Sequence, residues 1–156
     1  MNCKAEVFSS SFSVPSSYFY LMKTTPQSGE SPTITVGEFV ARAPEGLPLA
    51  FVAGAGGAGA RRLDTPRIQK LGLALAGFPH YVHEGRVQIV GASELQFLGQ
   101  LTPDERRAAV ARLELEKISC VLVTKGLAPP DEVVEACEAA RLPLISTPLV
   151  SSVAIT

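Results

Sequence analysis

The segment Gly54-Ala55-Gly56-Gly57-Ala58-Gly59 spells GxGxxG, the string with which a backbone turn approaches a pyrophosphate at the amino end of a helix. That chemistry needs a helix directly after the last glycine and a ribose-binding acid about 20 residues further on. Here Ala60-Arg61-Arg62-Leu63-Asp64-Thr65-Pro66 follows, with a turn signal and a proline. Gly77 stands at the ribose position, and the nearest acid is Glu84. Gly54 and Gly59 also have P-loop spacing, but Ala60-Arg61 stands where Lys-Ser/Thr would hold phosphate and magnesium. The string therefore reads as a flexible surface loop. His80 and His83 could meet one metal ion from a helical turn, yet no third ligand of equal quality or cysteine is near, and Pro79 and Gly85 indicate a loop. Solvated histidines are the expectation. Cys120 lies inside an apolar run and Cys137 on the apolar face of a helical pattern, as inert core thiols do. No nucleophilic triad emerges.

The remaining chemistry is spread over three short segments, Gly91-Ala92-Ser93, Thr124-Lys125-Gly126 and Ser146-Thr147-Pro148, each closing an apolar run. If those runs are parallel strands, their ends meet at the carboxyl edge of a sheet, where open α/β folds bind ligands. Ser93, Thr124, Lys125, Gly126, Ser146 and Thr147 would then place hydroxyls, a lysine and two helix amino termini around one crevice, a donor set suited to an anion. Each residue also has a local reason to be there: Ser93 caps a helix, Gly126 permits a turn and Thr147-Pro148 initiates one.

The elements that would position these residues follow from pattern. Thr35 with Glu38 forms a capping box for a short helix that Pro44 and Gly46 end. Leu49 to Ala53 reads as a short buried strand. Arg86-Val87-Gln88-Ile89-Val90 alternates as a strand, and Ser93-Glu94-Leu95-Gln96 has capping-box form for a helix running to about Gly99. Thr102-Pro103-Asp104-Glu105 starts another helix, with Ala109, Val110 and Leu113 on one face and Arg106, Arg107 and Arg112 as solvated surface. Ile118 to Val123 is a nearly continuous apolar run, the pattern of a strand covered on both sides. Pro129-Pro130-Asp131-Glu132 opens a helix carrying Val133, Val134, Cys137 and Ala140 on one face, and Leu142 to Ile145 is a third strand. Connections this long require parallel strands joined by right-handed crossovers. The fold class is α/β, with a mostly parallel sheet and helices on its faces.

The 156 residues carry 14 Lys+Arg against 15 Asp+Glu, a net of −1, and are 46% hydrophobic and 19% charged. This is the size of one domain. Near-neutral charge without a basic tract excludes a nucleic-acid or membrane-surface binder working through a positive field. Every apolar stretch falls well short of the roughly 20 residues that span a bilayer. Three scattered cysteines, Cys3, Cys120 and Cys137, form no CxxC, so a reducing cytoplasmic setting is expected. Residues 1–32 differ from the rest, with eight serines and five of the ten aromatics. They lack the unbroken apolar core of a secretory signal, and are expected to be a disordered extension or to precede a true start at Met22-Lys23.

Several blocks, in order, resemble a known family. Gly72-Leu73-Ala74-Leu75-Ala76-Gly77, Arg86 to Glu94, and Val123-Thr124-Lys125-Gly126-Leu127 through Pro130 are similar to the "GLxLAG", "RxQxxGxxE" and "xVTxGLxPP" blocks of the N-terminal domain of bacterial HPr kinase/phosphorylase. Pro143 to Leu149 continues the likeness, which runs from about Ile34 to the end. Leu71 departs from it, since relatives often carry proline there.

The resemblance implies a domain over residues 33–150, with the fold of the first domain of muramyl-peptide ligases, and residues 151–156 as the start of a linker helix towards a kinase domain. It implies a parent enzyme that uses ATP or pyrophosphate to phosphorylate a regulatory serine of the phosphocarrier HPr, reverses the reaction with phosphate, serves carbon catabolite control and assembles as a hexamer. The P-loop, acid-base residues and Mg2+ ligands belong to the C-terminal kinase domain, so no catalytic residue, cofactor or metal site is carried over to this chain. Expected partners are HPr, the kinase domain and further copies of the chain, with neither nucleic acid nor membrane. The chain alone is expected to be inactive, as an N-terminal domain separated from its kinase half by fragmentation or gene splitting. The alternative is a free-standing module of the same fold that senses a small ligand or binds a partner.

Overall fold

The computed structural model describes residues 33–154. The expectations for residues 1–32 and for Cys3 therefore lie outside the described residues. The element order is β1 (Ile34–Thr35), α1 (Val36–Ala41), β2 (Ala50–Ala53), β3 (Arg62–Leu63), β4 (Ile68–Lys70), α2 (Gly72–Leu75), β5 (Val87–Val90), α3 (Ala92–Gln100), α4 (Pro103–Ala111), β6 (Cys120–Val123), α5 (Asp131–Ala139), β7 (Leu144–Ser146) and α6 (Ser151–Ala154).

Five strands form the main sheet in the order β2-β7-β6-β5-β4, and β1 pairs antiparallel with β3 in a small separate sheet. β4, β5, β6 and β7 are mutually parallel, with Ile68 beside Val87, Val87 beside Cys120 and Val121 beside Leu144. Alternate residues of the parallel strands feed two cores. Val90, Val121, Val123 and Leu144 pack with residues of α2, α3 and α5 on one face. Val87, Ile89, Cys120, Leu122 and Ile145 meet Val36 and Phe39 of α1 and Leu63 of β3 on the other. The sheet is covered on both faces, as parallel sheets are, and the α/β reading is shown.

Three local expectations are corrected, and one strand is added. Ala50–Ala53 is an edge strand rather than a buried one, running antiparallel to β7, with Phe51 and Val52 39% and 41% exposed. Its end position leaves one side without a neighbour. β4 carries no recognisable period over its three residues, and the sequence reading has no strand there. Ser93 does not cap α3; Gly91 is the N-cap, and Glu94 returns its carboxylate to the Gly91 N–H at 2.9 Å. The cap lies two residues earlier because the reciprocal acid is Glu94 and not Gln96. Arg106 is not solvated surface: its guanidinium bonds both carboxylate oxygens of Glu132 at 2.9 and 3.2 Å and so ties α4 to α5. The Thr35–Glu38 and Thr102–Glu105 capping boxes form as expected, and each N-cap threonine holds its glutamate below the usual carboxylate range, the backbone bond contributing most.

Candidate functional site

The three carboxyl ends do converge, because register places Val90 beside Val123 and Val123 beside Ser146. The Thr124 N–H donates to the Val90 carbonyl at 3.1 Å and the Thr147 N–H to the Val123 carbonyl at 2.9 Å. Thr124 and Thr147 are fully buried. Lys125 and Gly126 follow with φ of 63° and 60°, the pair of left-handed conformations that a tight reversing turn requires. A lysine adopts this region at a cost. The turn aims both N–H groups at the segment leaving β7: Lys125 donates to the Leu149 carbonyl at 2.7 Å and Gly126 to the Thr147 carbonyl at 2.8 Å.

The donors expected to face an anion are therefore distributed in two ways. The Lys125 and Gly126 N–H groups are engaged within the protein. At the amino end of α3, Glu94, which is only 6% exposed, supplies a carboxylate that takes the Gly91 N–H and, at 3.2 Å, the Ser93 hydroxyl. The Thr124 hydroxyl pairs with Ser151 Oγ at 3.0 Å. Lys125 is exposed, and Ser146 is half-buried on the end of β7. Thus Thr124, Lys125, Gly126 and Thr147 are brought together. Ser93 lies beside them through Glu94, while Ser151, which pattern reading did not single out, enters the cluster. The first turn of α5 carries Asp131 and Glu132, whose negative charge opposes an anion at that amino end.

The glycine-rich segment is a packed turn, not a flexible loop. Gly54 has φ 65°, and a Cβ there would lie 1.9 Å from the Leu142 carbonyl oxygen; at Gly57 a Cβ would lie 1.8 Å from that of Arg141. The turn sits against the carboxyl end of α5. The Gly54 N–H donates to Glu138 Oε2 at 2.6 Å, and the Arg141 guanidinium donates to the Gly56 carbonyl at 2.8 Å. Its first donor already serves a carboxylate and protein backbone fills the space at Gly54 and Gly57, so these residues do not fit a nucleotide phosphate. Among the described residues no group of three or more His, Cys, Asp or Glu is placed to hold a metal ion. His80 and His83 are exposed, with the His80 ring against Tyr81 at 4.5 Å between centroids. Cys120 and Cys137 are buried, and desolvation pushes their thiols up to about 12 and about 11, away from the reactive thiolate.

Two polar residues escaped the sequence reading. Arg61, placed there within a loop, donates to the carbonyls of Leu115, Glu116, Ile118, Ala140 and Arg141. Its guanidinium closes the ends of α5 and of the α4–β6 connection, and burial lowers its pKa. Gln88 looked like the polar side of an alternating strand but is fully buried, with Nε2 donating to the His83 carbonyl at 3.2 Å and Oε1 without a partner among the described residues. No local signal marks either, since their partners lie on other elements.

Comparison with known proteins follows the same division. The sequence model described as "HPr Serine kinase N terminus" matches residues 34–156. The HPr kinase/phosphorylase of Geobacter sulfurreducens is 40% identical over 111 residues, 71% of this chain and 34% of that protein. Those of Caldicellulosiruptor bescii and Acidovorax sp. are 37% and 34% identical over 56% and 65% of this chain, covering 28% and 32% of their own lengths. The chain thus spans about a third of the length of these curated relatives. Among solved structures, the CBS and DRTGG domains of the regulatory region of Clostridium perfringens pyrophosphatase, complexed with its activator diadenosine tetraphosphate, give 25% identity and a TM-score of 0.34 over 51% of this chain and 29% of that one. With the matching family model covering everything from β1 to the last residue, the chain belongs to the HPr serine kinase N-terminal domain family.

Proposed function

We propose that this chain is the non-catalytic N-terminal part of an HPr kinase/phosphorylase, acting in the bacterial cytoplasm in regulation of the phosphotransferase system and carbohydrate use. The kinase half of such an enzyme would bring ATP and Mg2+, act on the regulatory serine of HPr, and assemble with further copies, as a hexamer by family resemblance. The observation that carries the reading is the family match over residues 34–156 together with the glycine-rich turn, whose backbone is packed on α5 instead of being open to a phosphate. The coding DNA beyond codon 156 tests it. An in-frame or adjacent open reading frame with a Gly-rich loop ending in Lys-Ser is expected; its absence would overturn the kinase assignment.

A second reading rests on Lys125, an exposed cation held in the left-handed region at the strand ends. In that reading the crevice formed by Ser93, Thr124, Lys125, Gly126, Ser146 and Thr147 binds a small anionic ligand, and the domain works as a sensing module. Ligand binding raises the melting temperature, so a thermal-shift screen with phosphate, pyrophosphate, nucleotides and phosphosugars should show a rise that Lys125→Ala removes. A flat screen contradicts this reading.

A further inference from the structure

The two ends of the main sheet differ in chemistry. β2 and β4 are its outer strands, each without a further strand neighbour among the described residues. β2 reads Ala50-Phe51-Val52-Ala53, with neither the charge nor the proline that commonly blocks an edge, and Phe51 and Val52 are exposed. α5 lies along this end, since Glu138 takes the Gly54 N–H just after β2. Asp131, Glu135 and Glu138 are exposed and share one face of α5 at helical spacing. Arg141, just past the helix, is turned to the Gly56 carbonyl.

At the other end, the exposed cation Arg67 precedes β4 and the exposed Lys70 closes it. The turn at residues 78–83 is fixed beside this strand, because Gln69 Nε2 donates to the Tyr81 carbonyl and the His83 N–H donates to Gln69 Oε1 at 3.2 Å. That turn carries an apolar cluster. The Phe78 N–H donates to the Leu73 carbonyl at 3.1 Å, and the Phe78 and Tyr81 rings stand edge-on with 6.4 Å between centroids. Leu73, Phe78 and Tyr81 are 57%, 49% and 46% exposed. One end of the sheet is thus apolar and acidic, the opposite end apolar and basic.

We propose that these two ends bind one another in different copies of the chain, β2 and α5 of one copy against β4 and the 78–83 turn of the next. Charge decides against the symmetric alternatives. Pairing β2 with β2 brings the acids of α5 towards their own counterparts, and pairing β4 with β4 does the same for Arg67 and Lys70; like charges set against each other cost binding energy. Strand direction agrees with the unlike pairing. β2 runs antiparallel to β7, while β4 to β7 are mutually parallel. A copy in the same orientation therefore presents β2 antiparallel to its neighbour's β4, the more stable kind of ladder. Because the two surfaces differ, every dimer keeps one of each free, and assembly continues until a ring closes. β2 is short and has a register shift between Phe51 and Ala53, so the association is weak, with a Kd on the order of 1 μM to 1 mM. The contact uses this chain's own residues and depends on neither the kinase assignment nor the crevice, so its failure leaves both standing.

Sedimentation of the purified 156-residue protein, with its concentration raised to about 1 mM, tests the contact. The native chain should associate, and less so at high salt, which screens exposed charges. Val52→Lys blocks the β2 end, and Arg67→Glu with Lys70→Glu reverses the charge at the β4 end. Each variant, with a circular dichroism spectrum and melting temperature like those of the native protein, should sediment as a monomer where the native chain associates. Each keeps the end that the other has lost, so an equimolar mixture should form a heterodimer and stop there. Phe51→Lys repeats the β2 variant at the neighbouring exposed position should Val52→Lys not fold. A native chain that stays monomeric at about 1 mM, a variant that associates as the native protein does, or a mixture of folded variants that stays monomeric overturns the proposal.

Discussion

Arg61 donates to five backbone carbonyls drawn from two connections, and none of its hydrogen-bond acceptors is a carboxylate. A planar guanidinium can fan its donors across several acceptors, whereas an ammonium is a compact point with three. Arg61→Lys keeps the charge but cannot span the Leu115, Ala140 and Arg141 carbonyls, and leaves partly buried acceptors unpaired. Such a loss costs about 1–3 kcal/mol per group, so urea unfolding of Arg61→Lys should show a fall in stability of at least about 2 kcal/mol. A variant within about 0.5 kcal/mol of the native protein would mean the clamp carries no weight. At this scale the sequence was informative about Cys120 and Cys137, whose burial follows from their own apolar neighbourhoods. It was silent about Arg61, Glu94 and Ser151, because each acquires its role from a partner that only the fold brings near.

The helices divide along the same line. The capping boxes at Thr35 and Thr102 lie within four residues and could be read directly. α3 was misplaced by two residues, since Ser93-x-x-Gln96 and Gly91-x-x-Glu94 overlap and the acid makes the stronger, charge-assisted bond to the N-cap N–H. The pairing of α4 with α5 through Arg106 and Glu132 joins residues 26 apart in sequence and has no local signature. It does have a pH signature. The hydrogen bond from Arg106 is the main cause holding the Glu132 carboxyl below its ordinary value of 4.5. A depressed carboxylate contributes stability that is fully present above the unfolded-state pKa and is lost as pH falls through the folded one. The stability difference between the native protein and Glu132→Gln should therefore be constant above about pH 5 and shrink as the pH is lowered below 4.5. Urea midpoints measured from pH 7 to pH 3 check this, and a difference that does not change over that range would show that the ion pair is not the cause.

For the molecule as a whole, connection length dictated the parallel order of β5, β6 and β7, because helices fill the intervals between those strands. The antiparallel β2 was not legible, since nothing in Leu49 to Ala53 states which neighbour it joins. The glycine-rich turn has neither a helix directly after it nor a Lys-Ser/Thr pair. Its actual use, letting backbone approach Arg141 and Leu142, depends on contacts more than 80 positions away. The strand ends gather as the sequence suggested, but the segment following β7 and Glu94 take up part of the donor set. The most direct measurement is incubation of the purified 156-residue protein with HPr, ATP and Mg2+, scored by mass spectrometry of HPr for an added phosphate. The account predicts unmodified HPr over a time in which an intact HPr kinase/phosphorylase converts it, and phosphoserine on HPr formed by this chain alone would contradict it.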